Sequence, residues 1–170
     1  MSWFKRLKEG IQTTTKNKKE APDGLWYKCK ECKEASTMKE FKENYYKCPK
    51  CDYHARIGSK EYFEIIFPQG HTALFNNIES EDFLNFVDLK PYKDRLVDAK
   101  KKTKLDDSLS VAYGQLGDFK IPLTVACMDF SFIGGSMGSV VGEKIALAIE
   151  YCIEKKSALL IISKSGGARM

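Results

Sequence analysis

The chain has 170 residues, 43% of them hydrophobic and 30% charged, a composition that fits a globular protein and excludes a disordered or collagen-like one. No apolar run approaches the roughly 18 residues of a membrane-spanning helix, and the opening Met1-Ser2-Trp3-Phe4-Lys5 lacks the apolar core of a signal peptide. The net charge of +5 is unevenly spread: residues 1–60 carry 15 basic and 8 acidic side chains, and the rest of the chain is slightly acidic.

In chain order, residues 2–10 predict a short amphipathic helix with Trp3, Phe4 and Leu7 on one face and Gly10 as its stop. A polar, Lys-rich linker follows, so that 1–24 form an N-terminal helix and arm. Residues 25–57 contain Cys29, Cys32, Cys48 and Cys51 in a C-x2-C, fifteen-residue, C-x2-C arrangement. A two-residue gap lets one tight knuckle aim two thiolates at one point, and two knuckles complete a tetrahedron of sulfurs around Zn2+. Neighbouring Lys28, Lys30, Lys47 and Lys50 favour the thiolate form that a metal requires. A disulfide framework is disfavoured without a secretion signal. A redox CxxC opens a helix in a βαβ unit, and neither pair does so. Between the knuckles, Thr37, Phe41, Tyr45 and Tyr46 predict strands around a turn at Lys42-Glu43-Asn44, with Trp26 and Tyr27 beside the metal.

Ser59 predicts the cap of a helix running to about Phe67, stopped by Pro68-Gln69-Gly70. Residues 71–87 read as loops. Asp94 to Lys104 predicts a helix, with Leu96, Val97 and Leu105 on one side and the solvated Lys100–Lys102 on the other. Ser110 to Leu116 and Phe119 to Phe130 predict a hairpin about a two-residue turn at Gly117-Asp118. Ile121, Leu123, Val125 and Cys127 share one face of its second strand. A helix over 139–155 carries Val141, Ile145, Ile149, Cys152 and Ile153 as one stripe, and 158–162 predicts a short buried strand. Cys127 and Cys152 are expected to be reduced core residues, and His54 and His71 structural. These features place the protein in the cytoplasm. The final strand and its Gly-Gly turn predict a parallel sheet that finishes folding only with further sequence.

Two glycine-bearing turns are candidates for chemistry. Gly134-Gly135-Ser136-Met137-Gly138 leads from a strand into a helix, where backbone N–H groups favour an anion. It matches neither the dinucleotide nor the P-loop pattern, and substrate contact by Gly134, Gly135, Ser136 and Gly138 stands beside a purely structural turn. In Ser165-Gly166-Gly167-Ala168-Arg169, two successive amides could point at one oxygen and stabilise charge developing on it. A plain strand-to-helix turn is the alternative.

With these motifs together, the chain resembles the bacterial acetyl-CoA carboxylase carboxyltransferase β-subunit family over all 170 residues. The resemblance rests on the Leu25-Trp26-x-Lys28-Cys29 entry to the ribbon, Pro91-Tyr92-Lys93-Asp94 and Met128-Asp129-Phe130. It continues through Gly134-Gly135-Ser136-Met137-Gly138, Gly142-Glu143-Lys144 and Ser165-Gly166-Gly167-Ala168-Arg169-Met170. It implies an α/β, crotonase-like spiral of β-β-α units over 58–170, incomplete here, behind an N-terminal zinc ribbon. It implies an α2β2 assembly with a carboxyltransferase alpha subunit, working with biotin carboxylase and a biotin carboxyl carrier protein in an ATP-binding complex. The carboxyl group would pass from carboxybiotin to acetyl-CoA, giving malonyl-CoA for fatty-acid synthesis, with Gly166 and Gly167 holding the thioester enolate. The truncated chain alone is expected to be inactive. A different class remains open: a zinc-dependent nucleic-acid-binding or regulatory module, supported by the basic first half and its interleaved Trp26, Tyr27, Tyr45, Tyr46 and Tyr53.

Overall fold

The structure is a computed structural model that describes residues 24–169. The predicted helix at 2–10 and nearly all of the linker lie outside the described residues. The chain forms two compact units that divide between Ala55 and Arg56.

In the first unit, strand β1 (Trp26–Lys28) pairs antiparallel with β2 (Ala35–Thr37), in the register Trp26 opposite Thr37. Helix α1 (Met38–Glu43) follows at once. This helix replaces the strand-and-turn expected there. The reason is a capping box that alternation does not register: the Thr37 hydroxyl accepts from the Glu40 N–H at 3.2 Å, and the Glu40 carboxylate accepts from the Thr37 N–H at 3.0 Å. The helical turn buries Phe41, which stacks on Tyr27 with ring centroids 3.6 Å apart. Lys42 and Glu43 thus belong to the helix, while Tyr45 and Tyr46 take left-handed φ values of 52° and 59°. Trp26, expected beside the metal, is 63% exposed.

The second unit is built on a four-stranded sheet in the order β3 (His71–Leu74), β4 (Leu109–Leu116), β5 (Ile121–Met128), β6 (Ala158–Ile162). β3, β4 and β5 run antiparallel, and β6 is parallel to β5. Strand β3 was expected to be loop; its four residues become a strand by pairing with β4, a non-local partner. The hairpin is also wider than expected. Leu116 pairs with Ile121, so Gly117 to Lys120 all lie in the turn, closed by a Lys120 N–H bond to Gly117 O.

Both faces of β5 are covered. On one, Leu123, Val125 and Cys127 pack with Ala112 against Phe63 and Phe67 of helix α2 (Ser59–Ile66) and its C-cap. Full burial of a ring such as Phe67 contributes about 1.5–3 kcal/mol, and Gly114 makes room for it: a Cβ there would sit 2.6 Å from the Phe67 ring. On the other face, Leu109, Val111, Ala126 and Met128 pack against Val141 and Ala148 of helix α4 (Ser139–Lys155). The cap of α2 is Gly58 rather than Ser59, because the Ser59 N–H is taken by the Asp129 carboxylate at 2.8 Å from seventy residues further on. Helix α3 (Tyr92–Thr103) buries Leu96 but leaves Val97 53% exposed.

The stripe on α4 is rotated from the one expected. Val140, Val141, Lys144, Ala148 and Cys152 are its buried residues, whereas Ile149 and Ile153 are 44% and 74% exposed. A lysine holds a core position here, since its Nζ reaches the Leu109 carbonyl at 3.2 Å. Strand β6 is an edge, with Leu160 and Ile161 40% and 43% exposed, rather than the buried strand its composition suggested. Cys127 and Cys152 are buried and reduced, and burial pushes the Cys127 thiol up to about 12.

Candidate functional site

The first unit brings Cys29, Cys32, Cys48 and Cys51 into one group whose sulfurs all lie within 4.8 Å of one another. Each knuckle is closed by backbone. The Cys29 N–H donates to Glu34 O and the Cys48 N–H to Tyr53 O, both at 2.9 Å. Lys33 and Asp52 turn the chain with φ values of 63° and 58°. Cys29 Sγ lies 3.7 Å from Cys51 Sγ, and Cys32 Sγ lies 3.8 Å from Cys48 Sγ. Four sulfurs about 2.3 Å from a tetrahedral zinc would be separated by roughly 3.8 Å, so the donor set fits one such ion. Burial pushes the Cys29 thiol upward, but the Cys32 and Glu31 N–H groups and the thiols of Cys48 and Cys51 outweigh it and bring it down to about 7.

In the second unit the two glycine turns, separate in sequence, are laid side by side. The Gly166 N–H donates to Gly134 O, the Met137 N–H to Gly167 O and the Arg169 N–H to Met137 O, each at 2.9 Å. Met137 and Ala168 form an isolated parallel bridge. Gly135 (φ +65°) passes under this seam so closely that a Cβ would lie 2.1 Å from Lys164 O.

The predicted site residues meet different fates. Gly134 and Gly135 form the seam. Ser136 faces inward: its hydroxyl accepts from Arg169 Nε at 3.0 Å, and its carbonyl accepts from Arg169 Nη2 at 2.8 Å and from Ser108 Oγ at 2.7 Å. Gly138 is the N-cap of α4, with no side-chain cap, and lines a pocket of about 560 Å³ together with Tyr92, Phe83, Phe86 and Arg169. The Gly166 and Gly167 amides do not converge on one open position. The first bonds Gly134 O, and the second bonds Ser165 Oγ at 3.0 Å. An N–H with a nearby acceptor takes it, and the docking of the two turns supplies one.

Sequence reading missed the polar cluster beneath the seam. Arg169 Nη1 and Nη2 donate to Asp107 Oδ2 and Oδ1 at 2.8 and 2.6 Å, a bidentate pair whose side chains are 3% and 0% exposed. Ser108 donates its N–H to Asp107 Oδ1 at 2.7 Å, and Phe132 lies under the guanidinium at 5.4 Å. Lys144 is buried close by. Its desolvation lowers its pKa, opposed by the charges of Asp107 and Asp106. The one available signal was an acid pair, Asp106-Asp107, directly before a core strand.

Burial alone would raise the Asp107 pKa, but the bonds from Arg169 and Ser108 hold it below the usual carboxylate value. A depressed folded-state pKa means that the unfolded chain binds more protons at acid pH. The stability from Asp107 is therefore complete above the unfolded value of about 3.9 and is lost as pH falls through the folded value. Acid titration followed by hydrogen exchange of residues 164–169 is expected to show opening below about pH 4, and Asp107→Asn to abolish that step.

No family model matches the chain. Proteins named acetyl-coenzyme A carboxylase carboxyl transferase subunit beta match along all of it: 56% identical in Pedobacter heparinus, 54% in Amoebophilus asiaticus and 50% in Flavobacterium psychrophilum. The chain is a homologue of these carboxyl transferase beta subunits. It spans about 60% of the length of these relatives. A solved structure of transcarboxylase 12S, with hydrolysed methylmalonyl-coenzyme A bound, aligns with 76% of this chain and 21% of its own at a TM-score of 0.51 and 18% identity. That likeness concerns the fold of the beta-subunit homologue, which is α/β and crotonase-like. Among the described residues, no helix is long and apolar enough to cross a membrane.

Proposed function

We propose that this chain forms the acyl-CoA side of a cytoplasmic carboxyltransferase, moving a carboxyl group from carboxybiotin on a carrier protein to acetyl-CoA. The observation that carries the reading is the match, along the whole of this chain, to named carboxyl transferase beta subunits at 50–56% identity. The crotonase-like fold agrees with it, and this homology favours it over a nucleic-acid-binding module.

Removing a proton from the methyl carbon of acetyl-CoA builds charge on the thioester oxygen. Backbone N–H groups at a turn can hold such an oxygen without any side chain. Gly166 and Gly167 are the donors in this reading. They would exchange Gly134 O and Ser165 Oγ for the thioester oxygen when substrate enters. Gly138 and the N-terminal end of α4, which has no side-chain cap, would face the CoA side. The chain's two histidines would not be required as bases in this reading, since biotin on the carrier would supply the proton acceptor. One zinc on Cys29, Cys32, Cys48 and Cys51 would act structurally. The partners in this reading are a carboxyltransferase alpha subunit, the biotin carboxyl carrier protein and biotin carboxylase.

The test is to isolate the polypeptide carrying this sequence from its own cells, together with whatever assembles on it. Malonyl-CoA formation is then measured from acetyl-CoA and carboxylated carrier. Turnover that disappears when the alpha subunit is stripped away and returns on its addition is the expected result. A folded, zinc-loaded preparation with its partners bound that transfers no carboxyl group to acetyl-CoA overturns the reading.

A further inference from the structure

We infer that Asp107 is a positioning residue of the acyl-CoA site: it fixes the Gly166–Gly167 turn by gripping Arg169 at the far end of that turn. This rests on the carboxyltransferase reading for its catalytic meaning, though not for its geometry.

The turn from Ser165 to Ala168 is mostly solvent-exposed and contains two adjacent glycines, the residues with the most backbone freedom to lose. Besides its backbone bonds to the first glycine turn, it is held by two flanking cations whose side chains run to opposite anchors. Lys164 reaches back over the Tyr62 ring, 4.5 Å from its centroid, and donates to Ile57 O at 2.6 Å. Arg169 dives into the unit, where all three of its nitrogens are engaged.

These two grips differ in kind. The Lys164 ammonium holds one carbonyl and can swivel about it. The Arg169 guanidinium is planar, and Asp107 meets it with both oxygens, so its orientation as well as its position is set. Only in that orientation does Nε meet the Ser136 hydroxyl while Nη2 meets the Ser136 carbonyl and Ser108 Oγ. Asp107 itself is held by the Ser108 N–H and sits just ahead of β4, a core strand paired on both sides. Rigidity therefore passes from the sheet to Asp107, to Arg169, and from there to both glycine turns. Backbone donors that must meet a developing charge need to be held to within about 0.5 Å. A Gly-Gly turn cannot hold itself so closely.

The test uses Asp107→Asn and Arg169→Lys in the polypeptide assembled with its natural partners. Asparagine keeps the size of Asp107 but replaces one acceptor oxygen by an NH2 group facing the guanidinium. Lysine keeps the charge of Arg169 but offers one point donor in place of a fork. Both variants are expected to lower kcat about 10- to 100-fold, the range for a catalytic group misplaced by about an ångström, with KM for acetyl-CoA changed less than about threefold. Hydrogen exchange is expected to speed up at 164–169 and to stay unchanged across β4 and β5. Uniform loss of protection throughout the sheet would show a general stability role and overturn the inference. So would unchanged exchange at 164–169. If the turn loosens locally but the wild-type assembly transfers no carboxyl group, the positioning role survives and the carboxyltransferase reading fails. If the turn loosens and kcat is unaffected in an active assembly, the inference fails alone.

Discussion

Stripping the metal from the Cys29, Cys32, Cys48 and Cys51 group, or replacing Cys48 by serine, is expected to unfold the first unit. Among its described residues the two strands are three residues each, the helix is six, and the aromatic core is Tyr27, Phe41 and Tyr46. So small a unit cannot offset its chain entropy by burial alone. Structural zinc in comparable modules supplies roughly 10–16 kcal/mol of apparent binding free energy at neutral pH, far more than the stacked rings contribute. A chelator titration is expected to release one zinc per chain. Amide protection at Cys29, Cys48 and the residues of α1 should disappear in parallel, while β4 and β5 keep theirs. Retained protection in α1 after complete metal loss would show that the ribbon folds without it.

Gly135→Ala is expected to cost about 2–5 kcal/mol, through two additive causes. Alanine at φ +65° carries about 1–2 kcal/mol of left-handed strain. The added methyl would also meet Lys164 O at 2.1 Å, and overpacking of this kind costs about 1–3 kcal/mol. The obstacle is backbone carbonyl, which cannot rotate aside as a side chain would. Gly134 provides the comparison: it has the same φ of +65°, and nothing lies within 4 Å of its would-be Cβ. Gly134→Ala should show the strain alone. Urea unfolding of both variants therefore isolates the contact between the two turns. Equal midpoints would mean that the two turns are not packed against one another.

Where local chemistry dominates, the residues announced the structure well. The C-x2-C pairs declared a four-sulfur group because spacing within a knuckle is a purely local constraint. The helix over Ser139–Lys155 lies within its expected bounds, since Gly138 and a long apolar-polar rhythm mark it. Strand β5 was legible from its run of β-prone residues. Errors arose where a distant partner decided. His71–Leu74 carries no strong strand signal and became a strand by pairing with β4. Ser59 lost its capping role to Asp129. The apolar stripe of α4 was misplaced because a counted pattern assigns lysine to solvent, whereas Lys144 buries its stem and hands its ammonium to Leu109 O.

The same division runs through the candidate site. By itself the amino-acid sequence determined the metal ligands, the two glycine turns, the elements flanking them and the family resemblance, because each is written in neighbouring residues. Only the tertiary structure decided that the turns lie against one another, that Ser136 faces Arg169, and that the Gly166 and Gly167 amides bond Gly134 O and Ser165 Oγ. It also decided that Asp107, separated from Arg169 by sixty-two positions, is that arginine's partner. A buried guanidinium needs a carboxylate to offset its desolvation. Which of the chain's acids meets it depends on how β4, the first turn and the end of β6 are brought together in space.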